Sequence, residues 1–170
     1  MSNTKAVLSK INNRSDTVKT KEGSTSNVAK GEIGERLTRE ILDEWGTFYF
    51  AIEQNKHTLP KWISEIGGKR PDFLAFAGDD NQIIFIDSKF YKNLNGFFYL
   101  EKAEITRYTN LVNHLGNRSI NVEVLFLFPI GGMAGHSFYA FSLDDAKEAD
   151  EVDIDNITNK QLIADTVFNV

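Results

Sequence analysis

The run from Asn121 to Phe128, NVEVLFLF, is apolar and rich in branched side chains over nearly its whole length. A half-exposed strand alternates apolar with polar residues, and this run does not. It reads as a central strand covered on both faces. Such a strand needs a sheet with material packed on each side, and two segments of helical periodicity supply it. From Val28 to Trp45, Ile33, Leu37 and Ile41 recur every fourth residue, Leu42 and Trp45 widen the stripe, and Gly46 stops the helix. From Leu100 to Leu115, Ile105, Tyr108, Val112 and Leu115 form a second stripe, with Gly116 as its stop.

Between these helices lie further strands. Thr47–Glu53 reads as one, and Asp72–Ala77 with Gln82–Lys89 makes a hairpin across the turn Gly78-Asp79-Asp80-Asn81. His136–Leu143 alternates as another strand after Gly131-Gly132, while Ser142–Asp150 and Thr158–Phe168 read as short closing helices. The order is helix, three strands, helix, two strands (αβββαββ). The expected fold class is α/β, a mixed sheet flanked by helices. At 170 residues there is room for one such domain and hardly for two. The expected division is a basic arm over residues 1–27, a core over 28–143 and an acidic helical extension over 144–170.

Composition narrows the chemistry. Hydrophobic and charged fractions of 41% and 25% exclude wholesale disorder. The absence of cysteine excludes disulfides, thiolate zinc sites and cysteine nucleophiles. Any metal must be held by oxygen or by the three histidines, and His57, His114 and His136 have no ligand-like spacing. No apolar run reaches membrane-spanning length, and Met1–Lys21 lacks the apolar core of a secretory signal. The expectation is a cytoplasmic protein with no membrane partner. The net charge of −5 conceals an uneven spread: residues 1–30 carry six Lys/Arg against two Asp/Glu, and residues 144–170 carry two against eight. An acidic total disfavours nucleic-acid binding in general, but a local basic surface suffices for phosphate contact.

The residues that point to chemistry sit on the hairpin. Asp87-Ser88-Lys89 ends its second strand, and alternation puts Asp87 and Lys89 on one face. Asp72, after Pro71, begins its first strand beside them. Two carboxylates and an ammonium amid Phe73, Leu74, Phe76, Ile83, Ile84, Phe85 and Ile86 are costly unless compensated. A hard divalent cation such as Mg²⁺ compensates the paired carboxylates. On the first helix, Glu35 falls at about 200° from Ile33, at the rim of the buried sector, and Glu32 at about 260°, toward solvent. Glu35 is the expected third carboxylate. Lys61, Lys69, Arg70, Lys92, Lys102 and Arg107 flank the hairpin in sequence and are candidate phosphate contacts, with a solvated loop as the alternative for each. Tyr91, Phe97, Phe98 and Tyr99 read as hydrophobic cover for the second helix rather than base-stacking platforms.

Pro71-Asp72 followed after fourteen residues by Asp87-Ser88-Lys89 resembles the signature of the PD-(D/E)xK nuclease superfamily. Lys30-Gly31-Glu32-Ile33-Gly34-Glu35-Arg36-Leu37 is similar to the first helix of archaeal-type Holliday junction resolvases, and the likeness extends over roughly residues 28–143. The resemblance implies a restriction-endonuclease-like core. It implies Asp72, Asp87 and the Ser88 carbonyl as ligands of Mg²⁺, for which Mn²⁺ can substitute. Glu35 would support the metal or its water, and Lys89 would be the catalytic lysine. The implied activity is Mg²⁺-dependent hydrolysis of DNA phosphodiesters by metal-activated water, selective for branched DNA and carried out by a homodimer. Asp87 stands where the pattern more often has Glu. Glu104 to Tyr108 echoes the Gln-x-x-x-Tyr motif of the exonuclease branch, with Glu in place of Gln. Two other functions fit the same residues: a defence, mobile-element or toxic nuclease cutting duplex DNA, and a DNA-binding or assembly subunit that keeps the fold without cutting.

Overall fold

A computed structural model of the chain describes residues 27–77, 82–90, 97–130, 137–163 and 168–169. In chain order the elements are α1 (Asn27–Glu44), β1 (Phe48–Ala51), a 3-10 turn (Lys56–Thr58), α2 (Lys61–Glu65), β2 (Phe73–Ala77) and β3 (Gln82–Ser88). There follow β4 (Phe97–Glu101), α3 (Lys102–Gly116), β5 (Val122–Ile130), β6 (Ser137–Ser142), α4 (Leu143–Glu148), β7 (Asp150–Ile154), β8 (Ile157–Ile163) and β9 (Phe168–Asn169). The expected arm, the turn over 78–81, the segment holding Tyr91, Lys92, Asn95 and Gly96, and the stretch from Gly131 to His136 lie outside the described residues.

Six strands form one mixed sheet in the order β1-β2-β3-β5-β6-β9. β2 and β3 are the antiparallel hairpin, with Phe73 opposite Ile86 and Ala77 opposite Gln82. β3 and β5 run parallel, with Ile83 beside Val122 and Ser88 beside Leu127. β5 is buried from Val122 to Pro129 apart from Glu123, as its composition demands. Its period-two alternation divides the interior. Leu125 and Leu127 face α1, joining Ile41, Leu42, Phe73, Ala75, Ile84, Ile86 and Phe138. Val124, Phe126 and Phe128 face the other side, with Ile105, Tyr108 and Leu111 of α3, Phe98 and Leu100 of β4, Ala146 of α4 and Leu162 of β8. Gly46 ends α1 at φ +62°, where its N–H bonds the Asp43 carbonyl and Thr47 N–H reaches that of Leu42. The molecule is thus α/β: helices and a second sheet cover the two faces of a mixed sheet.

Two expectations are corrected. The second helix, expected from Leu100, begins at Lys102, and Phe97–Glu101 form β4 ahead of it, while Phe98, expected as hydrophobic cover for that helix, is buried in its cluster. Thr158–Phe168, expected as a closing helix, holds β8 over Ile157–Ile163, and 164–167 lie outside the described residues. β4, β8 and β7 build a three-stranded antiparallel sheet. The reason is a tight hairpin: Ile154 pairs with Ile157 across Asp155-Asn156, both at positive φ (51° and 62°). That is the conformation a two-residue hairpin loop needs to match strand twist. The acidic extension is therefore helical only over α4, and its Ala146 and Leu162 belong to the same buried cluster as α3. Among the described residues, no helix is long and apolar enough to cross a membrane.

Candidate metal and phosphodiester site

The hairpin carries Asp72 and Asp87 to one end of the sheet. Asp72 prolongs the β2–β3 ladder, its N–H bonding the Ile86 carbonyl at 3.0 Å. Its Oδ2 accepts the Ser88 N–H at 2.7 Å. Asp87, 1% exposed, is the deepest charge in the molecule's described core. Its Oδ1 accepts from Tyr108 Oη at 2.7 Å and from Lys69 Nζ at 2.9 Å. Its Oδ2 lies 2.5 Å from Lys89 Nζ, yet receives no well-directed hydrogen bond. Lys89 and Asp87 share one face, as strand alternation requires. Lys89 N–H continues the parallel pairing to the Leu127 carbonyl at 2.8 Å.

Glu104, at the start of α3, completes the cluster. Its Oε1 accepts from Lys89 Nζ at 2.6 Å and also contacts Lys69 Nζ. Glu104 and Tyr108 are four residues apart on α3 and so project from one face. Both reach the hairpin carboxylate and its lysines. Sequence reading noticed this pair only as a motif echo and did not place it in the site. The usable signal was the coincidence of Tyr108 with the buried stripe. A polar group one turn earlier on the stripe's edge needs a partner.

α1 approaches this end of β3 closely. A Cβ on Gly34 would stand 2.9 Å from Phe90 Cβ and 3.2 Å from Ser88 Oγ, so the approach requires glycine. One turn later, Thr38 Oγ1 and Ser88 Oγ lie 2.8 Å apart. Glu35 sits at the rim with a side chain 35% exposed, its Oε2 3.9 Å from Arg39 Nη2. Its charge is near enough to be felt by Asp72. Glu32 is exposed, as expected.

The electrostatics separate the two aspartates. Burial raises Asp72 first of all, and the neighbouring charge of Asp87 raises it further. The Ser88 N–H and Lys69 oppose them, and Asp72 is pushed up to about 7. Burial would raise Asp87 too, but the Lys89 and Lys69 ammoniums outweigh it and hold its carboxyl below the usual range. Burial works against the charged form of Lys89, yet Asp87 and Glu104 raise its pKa above that of a free lysine. Burial and Asp87 likewise keep Tyr108 a protonated donor.

The donor set a hard cation would meet is two neighbouring carboxylates: Asp72, which accepts the Ser88 N–H, and Asp87, whose Oδ1 and Oδ2 are held by Lys69 and Lys89, so that an ion would have to take the place of one ammonium. Among the described residues, no three Asp, Glu or His side chains gather closely enough to hold an ion by themselves. Asp72 and Asp87 would therefore need the Ser88 carbonyl and water to fill the remaining positions. Glu35 is brought near Asp72 without joining it in such a group.

The expected phosphate contacts differ in what holds them. Lys69 is part of the buried cluster. Arg70 donates to Thr58 Oγ1 at 3.0 Å and to the Asn55 carbonyl at 2.9 Å, pinning the loop before α2. Lys102 is bonded to Glu151 at 3.0 Å. Lys61 lies on α2 beside Glu65, and Arg107 is exposed on α3. Lys92 is outside the described residues. No protein-family model matches the chain, and the search of curated proteins finds no match to it.

Proposed function

We propose that the chain is a divalent-cation-dependent endonuclease acting on DNA, with a restriction-endonuclease-like core of the PD-(D/E)xK type. The observation that carries this reading is the convergence of Asp72, Asp87 and Lys89 at one end of the β2–β3 hairpin. Asp72, Asp87 and the Ser88 carbonyl would hold Mg²⁺ or Mn²⁺. When bound, the ion supplies Lewis-acid activation of water and of the phosphodiester. Lys89 keeps a permanent positive charge for the phosphate that arrives. Tyr108 and Glu104 fix that ammonium and Asp87 in place, which removes reorganisation at the moment of reaction. Thr38 and Gly34 hold Ser88 against α1, orienting the carbonyl side of the site. Glu35 at the rim would support the metal or its water.

The resolvase likeness of α1 favours branched DNA, and two paired incisions then require a homodimer. The same centre would serve a defence, mobile-element or toxic nuclease on plain duplex. Cleavage of a labelled four-way junction against the matched linear duplex separates the two. Asp87→Asn and Lys89→Ala should each slow cleavage about a hundredfold or more with the fold retained. Wild-type rates in the Asp87→Asn protein would end the nuclease assignment.

One observation favours a non-cutting DNA-binding or assembly subunit. The lysines already neutralise Asp87 and Glu104. That reading predicts no heat on titration with millimolar Mg²⁺ and no cleavage of either substrate.

A further inference from the structure

Two ammoniums serve the same two carboxylates. Lys89 and Lys69 both contact Asp87 and both contact Glu104 Oε1. They differ in how they are held. Lys89 follows directly from β3 and its side chain is 9% exposed. Lys69 comes from the segment between α2 and β2, just after Gly67 and Gly68, and its side chain is 29% exposed. Gly67 adopts φ +62°, so the chain turns there immediately before the lysine. The Lys69 ammonium lies 5.4 Å from the centroid of the Tyr108 ring, and Tyr108 donates to the same Asp87 oxygen. Asp87 Oδ1 is thus occupied by a partly buried cation on a loop, although the more deeply buried lysine already neutralises its carboxylate.

We propose that Lys69 is a displaceable counter-ion: it holds Asp87 and Glu104 while no divalent cation is present, and releases Asp87 when one binds. The inference rests on the nuclease reading and extends it to the regulation of the same site. A second strong positive charge beside Asp87 repels the ammonium, and Lys69 is the member of the pair with solvent at its back. Lys89 remains, because its strand and its burial leave it nowhere to go. Once released, the Lys69 ammonium stands at the rim of the site, free to meet the backbone phosphate of DNA. Lys69 is therefore a positioning residue that ties cation loading to phosphate capture.

The test is amine labelling of the full wild-type chain with acetic anhydride, with and without Mn²⁺, read by peptide mass. Lys69 should become several-fold more reactive with Mn²⁺, while Lys61 and Lys102 keep constant reactivity. Calorimetry provides the second readout. Removing the competing charge in Lys69→Met should tighten Mn²⁺ binding about tenfold. A purely structural lysine would leave labelling indifferent to Mn²⁺, and its loss would not strengthen ion binding. Labelling unchanged by an ion that does bind overturns the inference and leaves the nuclease reading standing. So does equal or weaker binding by Lys69→Met. Absence of Mn²⁺ binding by the wild-type protein removes both. If Lys69→Met does not fold, the wild-type labelling decides.

Discussion

At the scale of single residues, the site is a problem of unequal carboxylates. Asp72 and Asp87 are neighbours, but the lysines gather on Asp87 and leave Asp72 to share its neighbourhood with another negative charge. Raising an acid's pKa on folding means that the native state holds its proton longer than the unfolded chain does. Between pH 4 and the value of about 7 at Asp72, rising pH therefore removes stability through this group. The penalty is absent below that window and complete above it. Asp87, held below its usual range, acts in the opposite sense only at acid pH. Asp72→Asn keeps an oxygen for the Ser88 N–H and cannot ionise. In chelator, its advantage over the wild type should grow by about 2 kcal/mol between pH 5 and pH 8, as urea titrations would show. An equal gap at both pH values would mean that the penalty lies elsewhere.

At the scale of elements, α1 tests whether its close approach to β3 is needed. Gly31 and Gly34 both lie in α1, where glycine costs about 1 kcal/mol relative to alanine. A Cβ on Gly31 meets nothing within 4 Å, whereas one on Gly34 runs into Phe90 and Ser88. Gly31→Ala should therefore stabilise by about 0.5–1 kcal/mol. Gly34→Ala should destabilise by about 1–3 kcal/mol and move Ser88, because overpacking outweighs the gain in propensity. Chemical denaturation of both proteins checks the opposite signs. The same element shows what a sequence can disclose. The stripe of Leu37, Ile41 and Leu42 was readable because it is local and periodic, and so were the hairpin and the double-sided burial of β5. Asp72, Asp87 and Lys89 were readable because strand alternation alone brings the last two together. β4 was not, because its strand partner among the described residues, β8, lies some sixty residues away, and β8 was not, because its local hairpin with β7 sits in an acidic segment. Asp155-Asn156 was the one local clue to β7 and β8, and the acidic residues around it masked it. Lys69 and Glu104 were invisible as site residues for a similar reason: their roles arise from contacts between distant segments.

At the scale of the whole molecule, ion binding should be visible as stability. A ligand that binds only the folded chain raises the unfolding free energy in proportion to the logarithm of its concentration over Kd. Mg²⁺ at several times its Kd should raise Tm by a few degrees, and more at pH 8 than at pH 6, where most of the Asp72 population is protonated. Asp87→Asn should abolish the shift in a thermal melt; a shift that survives would place the ion elsewhere. The second sheet also bears on when the side-chain cluster is assembled. α3, which carries Glu104 and Tyr108, packs against a cluster completed by Leu162 of β8, and among the described residues β8 is the strand that pairs with β4, the element that leads into α3. During translation these residues emerge well after the acidic pair and the lysines. The helix that presents Glu104 and Tyr108 therefore completes its packing only once a segment some fifty residues further along the chain has been made, so the side-chain cluster is assembled late relative to its own residues.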